Sequence, residues 1–254
     1  MTNGLLIHIP HSSRFIPKKY LKLFFLNKEN LYKEQLKMTD SWTNELFKIK
    51  NVKRLVFPVS RLVCDVERFR NEKEEEMSKQ GMWICYTKTS DLKPLKSVSE
   101  THKREILTKY YDKHYLNFGN SVKNILKEFG KCLIIDAHSF FSKPLPYELY
   151  SAGFRPDICI GTDNFHTPSY LIDYFCKIFA EKGYTTGINS PFKGTVVPLE
   201  FYNKDKNVKS IMLEINRSLY MDEETGSKNS NFLKVKKDIT EIIKNIPHFL
   251  NYKF

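Results

Sequence analysis

Three apolar segments of the chain carry polar residues of the types that bind metal ions. They read LLIHIPHSS, CLIIDAHS and SIMLEINR, and they supply His11, His138 and Glu214. Because ligands bind beyond the carboxyl ends of strands in open α/β sheets, we expect these side chains to meet in one crevice. Two imidazoles and a carboxylate, with an open position for water, are usual around catalytic zinc, and a further carboxylate can serve as general base. The spacing therefore suggests a metallohydrolase.

Each of these residues also has a purely structural explanation. A histidine that follows a strand is often only a hydrogen-bonded part of the fold, and Asp136 could cap a turn. Glu214 is harder to explain in this way, because it lies within the apolar run SIMLEI. A buried carboxylate there needs a metal, a cation or a proton as its partner.

Short strands alternate with helical segments along the chain, which predicts an α/β domain with helices on both faces of the sheet. No repeat or low-complexity linker divides the sequence, so we predict one domain over residues 1–254. The predicted strands are 5–9, 55–58, 81–86, 132–135, 157–162 and 208–215. The predicted helical segments are 17–36, one that starts near Asp40, 100–129, 169–182 and 231–248.

Composition narrows the class of protein. The chain has 254 residues, 41% of them hydrophobic, which excludes a disordered protein. The net charge of +12 comes mostly from lysines spread over helical stretches. This distribution is typical of a solvated surface and does not favour nucleic-acid binding. We see no apolar run near membrane-spanning length and no secretory signal. Five scattered cysteines predict reduced thiols in a cytoplasmic protein.

The chain resembles the N-formylglutamate amidohydrolase family over nearly its whole length. The matching segments are IPHSSRFIP (9–17), TDSWTNELF (39–47), VSRLVCDVERF (59–69), LIIDAHSF (133–140) and LEINRSLY (213–220). The resemblance implies a zinc-dependent amide hydrolase with a three-layer α/β/α fold, a mixed central sheet and phosphorylase/hydrolase-like topology.

The resemblance also implies roles for individual residues. His11 and His138 match the two histidine ligands of one zinc ion, and Glu214 matches the general acid/base. Asp40 is the best match for the acidic ligand, because it opens the next helix. Zinc carboxypeptidases instead have a Glu three residues after the first His, where this chain has Arg14. Asp65 and Asp136 therefore compete with Asp40, which could also be a helix N-cap.

The segment VSRLVCDVERF resembles the family's R-x-x-x-D-x-N-R pattern, with Glu67 where Asn is usual. An N-formylglutamate-like substrate carries two carboxylates, which guanidinium groups pair in a bidentate manner. Our candidates for this role are Arg61, Arg217 and Arg68, which could instead form surface ion pairs. His114 could face the site too, although a helical histidine is often simply exposed or packed in the core.

The implied reaction hydrolyses the linear amide bond of an N-formyl or other N-acyl amino acid, and it releases a small acid and an amino acid. The expected partner is a small anionic substrate, with no membrane. The rival hypotheses are a same-fold zinc amidase for another N-acyl or peptide substrate and a non-enzymatic basic binding protein. A salt-dependent gel-shift would reveal binding to nucleic acid.

Overall fold

A mixed sheet forms the centre of the molecule. The computed structural model describes residues 4–149 and 153–251, and within them six strands pair in the order β2-β1-β3-β6-β4-β5. β4 runs antiparallel to β6, and every other neighbouring pair is parallel. The mixed α/β architecture expected from the sequence is confirmed. The strands are β1 (Leu5–Ile9), β2 (Lys53–Val56), β3 (Cys132–Phe140), β4 (Ile158–Gly161), β5 (Thr186–Ile188) and β6 (Val208–Asn216).

Helices cover both faces of this sheet. Two continuous helical segments are joined by a π-helical turn at Leu107–Asp112, so the predicted segment 100–129 is helical throughout. None of the described helices is both long and apolar enough to cross a bilayer. The helices are α1 (Lys18–Leu21), α2 (Lys28–Met38), α3 (Thr43–Leu46), α4 (Glu100–Ile106), α5 (Lys113–Phe129), α6 (Ser169–Glu181) and α7 (Phe232–Asn251).

The alternation of side chains along the strands separates two cores. Odd-numbered residues of β1 and β3, such as Ile7 and Ile135, pack with α3, α6 and α7. Even-numbered residues such as Leu6 and Ile134 pack against Phe118 of α5. Successive strand residues point to opposite faces, so this parity decides which polar residues share a surface.

The candidate site residues lie on the face of the sheet that packs against α5, nearer the carboxyl ends of the strands. The register pairs His8 with Asp136 between β1 and β3, and His138 with Glu214 between β3 and β6. All four have even numbers and therefore lie on the face that Leu6 and Ile134 begin. The sheet thus delivers four ionisable side chains to one surface.

Three strand predictions need correction. Residues 81–86 form no strand but an irregular, mostly buried segment, which packs in a separate core beneath Val63 and Cys64. β3 extends to Phe140 because it pairs with β6 over nine residues, so His138 lies within the strand rather than after it. β2 spans 53–56 instead of 55–58, and β5 was not predicted.

Candidate active site

His11 follows β1 and is held by a carboxylate on one side only. Its Nε2–H donates to Asp65 Oδ1 at 2.8 Å, and both side chains are buried. The other ring nitrogen, Nδ1, is buried and has no hydrogen-bond partner within the part of the chain that the structure describes. Asp65 therefore orients the ring so that Nδ1 faces the cleft. Metal-binding histidines are commonly fixed in this way, by a carboxylate that accepts a hydrogen bond from the ring nitrogen that does not bind the metal.

Asp40 faces the same nitrogen and also contacts His138. Its Oδ2 lies 3.0 Å from His138 Nδ1 and 3.7 Å from His11 Nδ1, and its Oδ1 accepts from Arg217 Nη2 at 2.9 Å. The backbone N–H of Asp40 donates to the carbonyl of His11 at 3.0 Å. One carboxylate oxygen is thus close to both histidines, while the other oxygen is fixed by a buried ion pair.

Trp42 turns the chain just after Asp40. Its φ of 70° lies in the left-handed region, which costs a bulky residue about 1–2 kcal/mol. The indole N–H donates to the carbonyl of Gly226 at 2.9 Å, and Lys228 and Phe232 pack on the ring. The C-terminal part of the chain therefore holds the turn that presents Asp40.

Glu67 is the functional residue that the sequence analysis missed. Its Oε2 lies 3.0 Å from His138 Nε2 and 3.8 Å from His11 Nδ1. Its side chain is 14% exposed and lines the cleft. The signal in the sequence is the departure from the family's Asn, which places an additional carboxylate in this segment.

His8 and Asp136 form a second polar group beside this one. His8 Nδ1 lies 2.9 Å from Asp136 Oδ1, and His8 Nε2 lies 2.9 Å from His114 Nε2. His114 is buried between Phe57 and Phe118, so it supports His8 and does not line the cleft. Asp136 Oδ1 is also 3.2 Å from His138 Nε2, which links the two groups.

The three candidate arginines differ in how many of their N–H groups are already used. All five donors of Arg217 point to acceptors within the protein, namely both oxygens of Ser139, the carbonyls of Leu36 and Lys37, and Asp40. Arg217 is therefore built into the fold. Arg61 donates to Asp65 at 2.8 Å, and its Nε is buried without a partner among the described residues.

Arg68 lies beside Arg61 and is partly used. Its Nε donates to the carbonyl of Met82 at 3.0 Å and its Nη2 to the hydroxyl of Tyr86 at 3.2 Å. Arg61 and Arg68 both line the cleft. Arg61 and Arg68 thus keep N–H donors without an acceptor among the described residues, whereas all donors of Arg217 are used.

The pKa values at the site reflect burial and this network. Burial raises the pKa of Glu214 to about 8. Burial also opposes ionisation of Asp65, yet the charges of Arg68 and Arg61 hold its pKa well below the usual range. For His138, burial is outweighed by Glu67 and Asp136, which raise the pKa well above its ordinary value. A metal ion must therefore compete with a proton for this imidazole.

Two observations fit a metal ion at this site. Among the described residues, five buried polar atoms lack a hydrogen-bond partner, and His11 Nδ1, Glu67 Oε1 and Glu214 Oε2 are three of them. When the carboxyl groups and the histidines are all deprotonated, the carboxylates at the buried floor outnumber the guanidinium groups by two. Protons on the histidines and on Glu214 can offset this difference, and a dication could offset it in their place. The carboxyl groups are Asp40, Asp65, Glu67, Asp136 and Glu214, and the guanidinium groups are Arg61, Arg68 and Arg217.

A model of the N-formylglutamate amidohydrolase family matches residues 3–221. The chain belongs to this family. A crystallised N-formylglutamate amidohydrolase from Ralstonia eutropha JMP134 matches with a TM-score of 0.84 and 20% identity, over 99% of this chain and 95% of that one. A gene product of Agrobacterium tumefaciens matches with a TM-score of 0.59 and 19% identity, over 96% and 92%. No curated protein matches significantly.

These matches confirm the family and the fold expected from the sequence, and the chain is accordingly an amidohydrolase. Within this amidohydrolase, the histidines and carboxyl groups lie at the floor of a cleft of about 550 Å³. Its walls combine the two arginines with apolar side chains that include Phe69, Phe141 and Phe192. A cleft of this kind encloses a ligand with charged and apolar parts.

Proposed function

We propose that the protein hydrolyses the amide bond of an N-formyl or other N-acyl amino acid with a bound divalent metal, of which zinc fits best. The observation that carries this proposal is the buried, unpartnered Nδ1 of His11 beside His138 and Glu214. A zinc ion at these residues would activate water and polarise the substrate carbonyl. Imidazole and carboxylate ligands with an open position are typical of such sites.

His11, Asp40 and His138 would hold this ion. Asp40 Oδ2 is the oxygen that lies near Nδ1 of both rings, at 3.7 Å and 3.0 Å. The opposite nitrogen of His11 faces Asp65, and the opposite nitrogen of His138 faces both Glu67 and Asp136. This geometry supports Asp40 as the acidic ligand, with Asp65 and Asp136 as orienting residues.

Glu214 would move the proton during the reaction. It neighbours His138 across β3 and β6, and its Oε2 is buried without a hydrogen-bond partner among the described residues. A carboxyl group with a pKa near 8 can hold or release a proton at neutral pH. Glu214 would accept the proton of the attacking water and then donate it to the leaving amine nitrogen.

Arg61 and Arg68 would bind the carboxylate of the substrate. Both guanidinium groups line the cleft, and the buried Nε of Arg61 lacks a partner in the described structure. Planar guanidinium groups bind carboxylates through paired N–H donors. These contacts favour an acidic N-acyl amino acid such as N-formylglutamate.

The cleft also supports a second candidate, a larger N-acyl or peptide substrate. Its volume of about 550 Å³ lies in the range of pockets that enclose drug-sized ligands, and a compact dicarboxylate would leave much of it unfilled. Phe69, Leu149 and Leu199 line its mouth and are 57%, 39% and 60% exposed. These apolar side chains could contact a long acyl group or a neighbouring residue.

We also propose a single catalytic domain in a reducing compartment, the cytoplasm. All five cysteines are free thiols, and four of them are buried. This state supports the compartment inferred from their spacing.

The test is metal content together with a substrate screen. The purified protein should contain zinc and should hydrolyse N-formylglutamate faster than N-formylmethionine. His138→Ala should lose that zinc and nearly all activity while the circular dichroism spectrum stays native. Equal zinc content in the wild type and His138→Ala would exclude the proposed site, and faster cleavage of long-chain N-acyl substrates would favour the second candidate.

A further inference from the structure

Glu67 lies between the histidines of the proposed metal site and a second group of ligand-type side chains. Its Oε2 is 3.0 Å from His138 Nε2, and its Oε1 is 3.6 Å from His8 Nδ1. Asp136 Oδ1 is 2.9 Å from the same nitrogen of His8. His8, Glu67 and Asp136 each offer one ligand atom, and these atoms lie within 4.8 Å of one another. The two oxygens of Glu67 therefore face two different ligand groups.

This second group is buried and has no lysine or arginine partner among the described residues. The side chains of His8, Asp136 and Glu67 are 1%, 2% and 14% exposed. None of the ion pairs that the structure describes joins Glu67 or Asp136 to a lysine or an arginine, and Glu67 Oε1 has no hydrogen-bond partner there. Two buried carboxylates whose only ion-pair partners are histidines can bind a cation in place of the histidine protons.

His8 is also held in a position suitable for a ligand. Its Nε2 lies 2.9 Å from Nε2 of His114, so one of the two nitrogens must carry a proton. The 2.9 Å contact between His8 Nδ1 and Asp136 Oδ1 places a proton on Nδ1, so His114 donates to His8 Nε2. A cation would take the place of that Nδ1 proton, and the Nε2–H of His8 would then donate to His114. A metal-binding histidine is usually fixed through its second nitrogen in this way.

We propose that His8, Glu67 and Asp136 bind a second divalent cation, and that Glu67 bridges it to the ion at His11, Asp40 and His138. One imidazole and two carboxylates suit Zn²⁺, Co²⁺ or Mn²⁺. Paired ions in hydrolases lie about 3.5–4 Å apart, a span that one bridging carboxylate covers. Three protein ligands leave positions for oxygen atoms of the substrate. This inference rests on the proposed function only because it requires the first ion, at His11, Asp40 and His138.

The experiment counts metal ions in reciprocal variants. Metal-free protein is titrated with Co²⁺, dialysed and analysed for bound metal, and Mn²⁺-loaded samples are examined by electron paramagnetic resonance for coupling between two ions. The wild type should bind two equivalents and show coupling. Glu67→Asn, which introduces the family's residue, should bind one, and Asp40→Asn should bind one at the other site. Neither variant should show coupling.

A control variant and the number of bound metal ions distinguish a failure of the second site from a failure of the proposed function. Glu76→Asn makes the same change at an exposed glutamate that lines the cleft, and it should still bind two equivalents. One equivalent in the active wild type, or two in Glu67→Asn, would overturn the second site and leave the proposed function standing. No metal in Glu67→Asn would make Glu67 a ligand of a single ion. No metal in the wild type would overturn both proposals.

Discussion

Glu214 is buried, yet its proposed role as general acid and base requires it to gain and lose a proton. The residue belongs to the apolar strand β6, but its carboxyl group lines the cleft beside His138, and one oxygen is unpartnered within the described structure. Glu214→Gln keeps the shape but cannot accept a proton, so bound zinc should remain while kcat falls about 100-fold or more. Steady-state kinetics with metal analysis checks this, and Glu76→Gln is the matched control. A fall of less than about tenfold, or ~1.4 kcal/mol, would exclude Glu214 as the base.

The same residue should make the metal-free protein less stable as the pH rises. Its pKa is about 8 in the fold, against 4.5 as the ordinary value. Between those values the native state holds a proton that the unfolded state has released, so the free energy of unfolding decreases as pH rises through this window. Glu214→Gln should match the wild type near pH 4 and should be more stable by a few kcal/mol near pH 8.5. Urea unfolding in a chelator at both pH values measures this, and equal stabilities at pH 8.5 would contradict it.

At the scale of elements, Arg217 links the end of β6 to α2 and to Asp40 in the proposed metal site. Its guanidinium group donates to the last carbonyls of α2 and to Asp40, which is 177 residues away in sequence. Arg217→Met would leave a buried carboxylate without its partner and should lower the free energy of unfolding by about 3–5 kcal/mol. Lys237→Met removes an exposed pair with Glu241 and should change it by less than about 0.5 kcal/mol. Urea unfolding compares them, and similar losses would show that Arg217 is not structural.

Sequence patterns could predict the site residues that lie in, or directly after, an apolar strand. His11 follows the apolar strand β1, the Asp-Ala-His segment lies in β3, and Glu214 lies in β6. In each case the apolar run that predicts the strand also gives the place of the polar residue in the fold. The apolar segment 81–86 resembles a strand for the same reason, although its residues are buried in an irregular core. An apolar run reports burial, and it predicts a strand only when a neighbour pairs with it.

Other features depend on contacts that no local pattern contains. His8 lies inside an apolar strand, so it resembles a core residue until β3 places Asp136 beside it. Glu67 lies in an irregular segment, where no periodicity predicts the direction of a side chain. The sequence could not show that the donors of Arg217 are already used, because the carbonyls that accept from it belong to residues distant in sequence.

At the scale of the whole molecule, the net charge of +12 offers a second reason for a preference for anions. Electrostatic steering is screened by salt and does not depend on one residue, whereas a buried clamp depends on Arg61. Arg61→Ala should lower kcat/KM for N-formylglutamate about 100-fold more, or ~2.7 kcal/mol, than for N-formylmethionine. The ratio of the two substrates separates the clamp from damage to the metal site.

High salt and a surface variant complete this comparison. In the wild type, the preference for the acidic substrate should persist at high ionic strength. Lys127→Ala removes one exposed charge from α5 and should leave the preference unchanged. If the preference disappears in salt, or survives Arg61→Ala unchanged, general attraction and not Arg61 selects the substrate.

The left-handed turn at Trp42 has a consequence for the order in which the protein matures. The ribosome makes Asp40 long before the groups that fix its position. Arg217, which binds its carboxylate, follows it by 177 residues, and Gly226, which binds the indole of Trp42, follows that tryptophan by 184. A nascent chain can form β1 and bury its apolar side chains long before Asp40 is held in place. Binding of the proposed metal ion therefore has to wait until Arg217 and Gly226 have been made, and fragments released before Arg217 should remain inactive and metal-free.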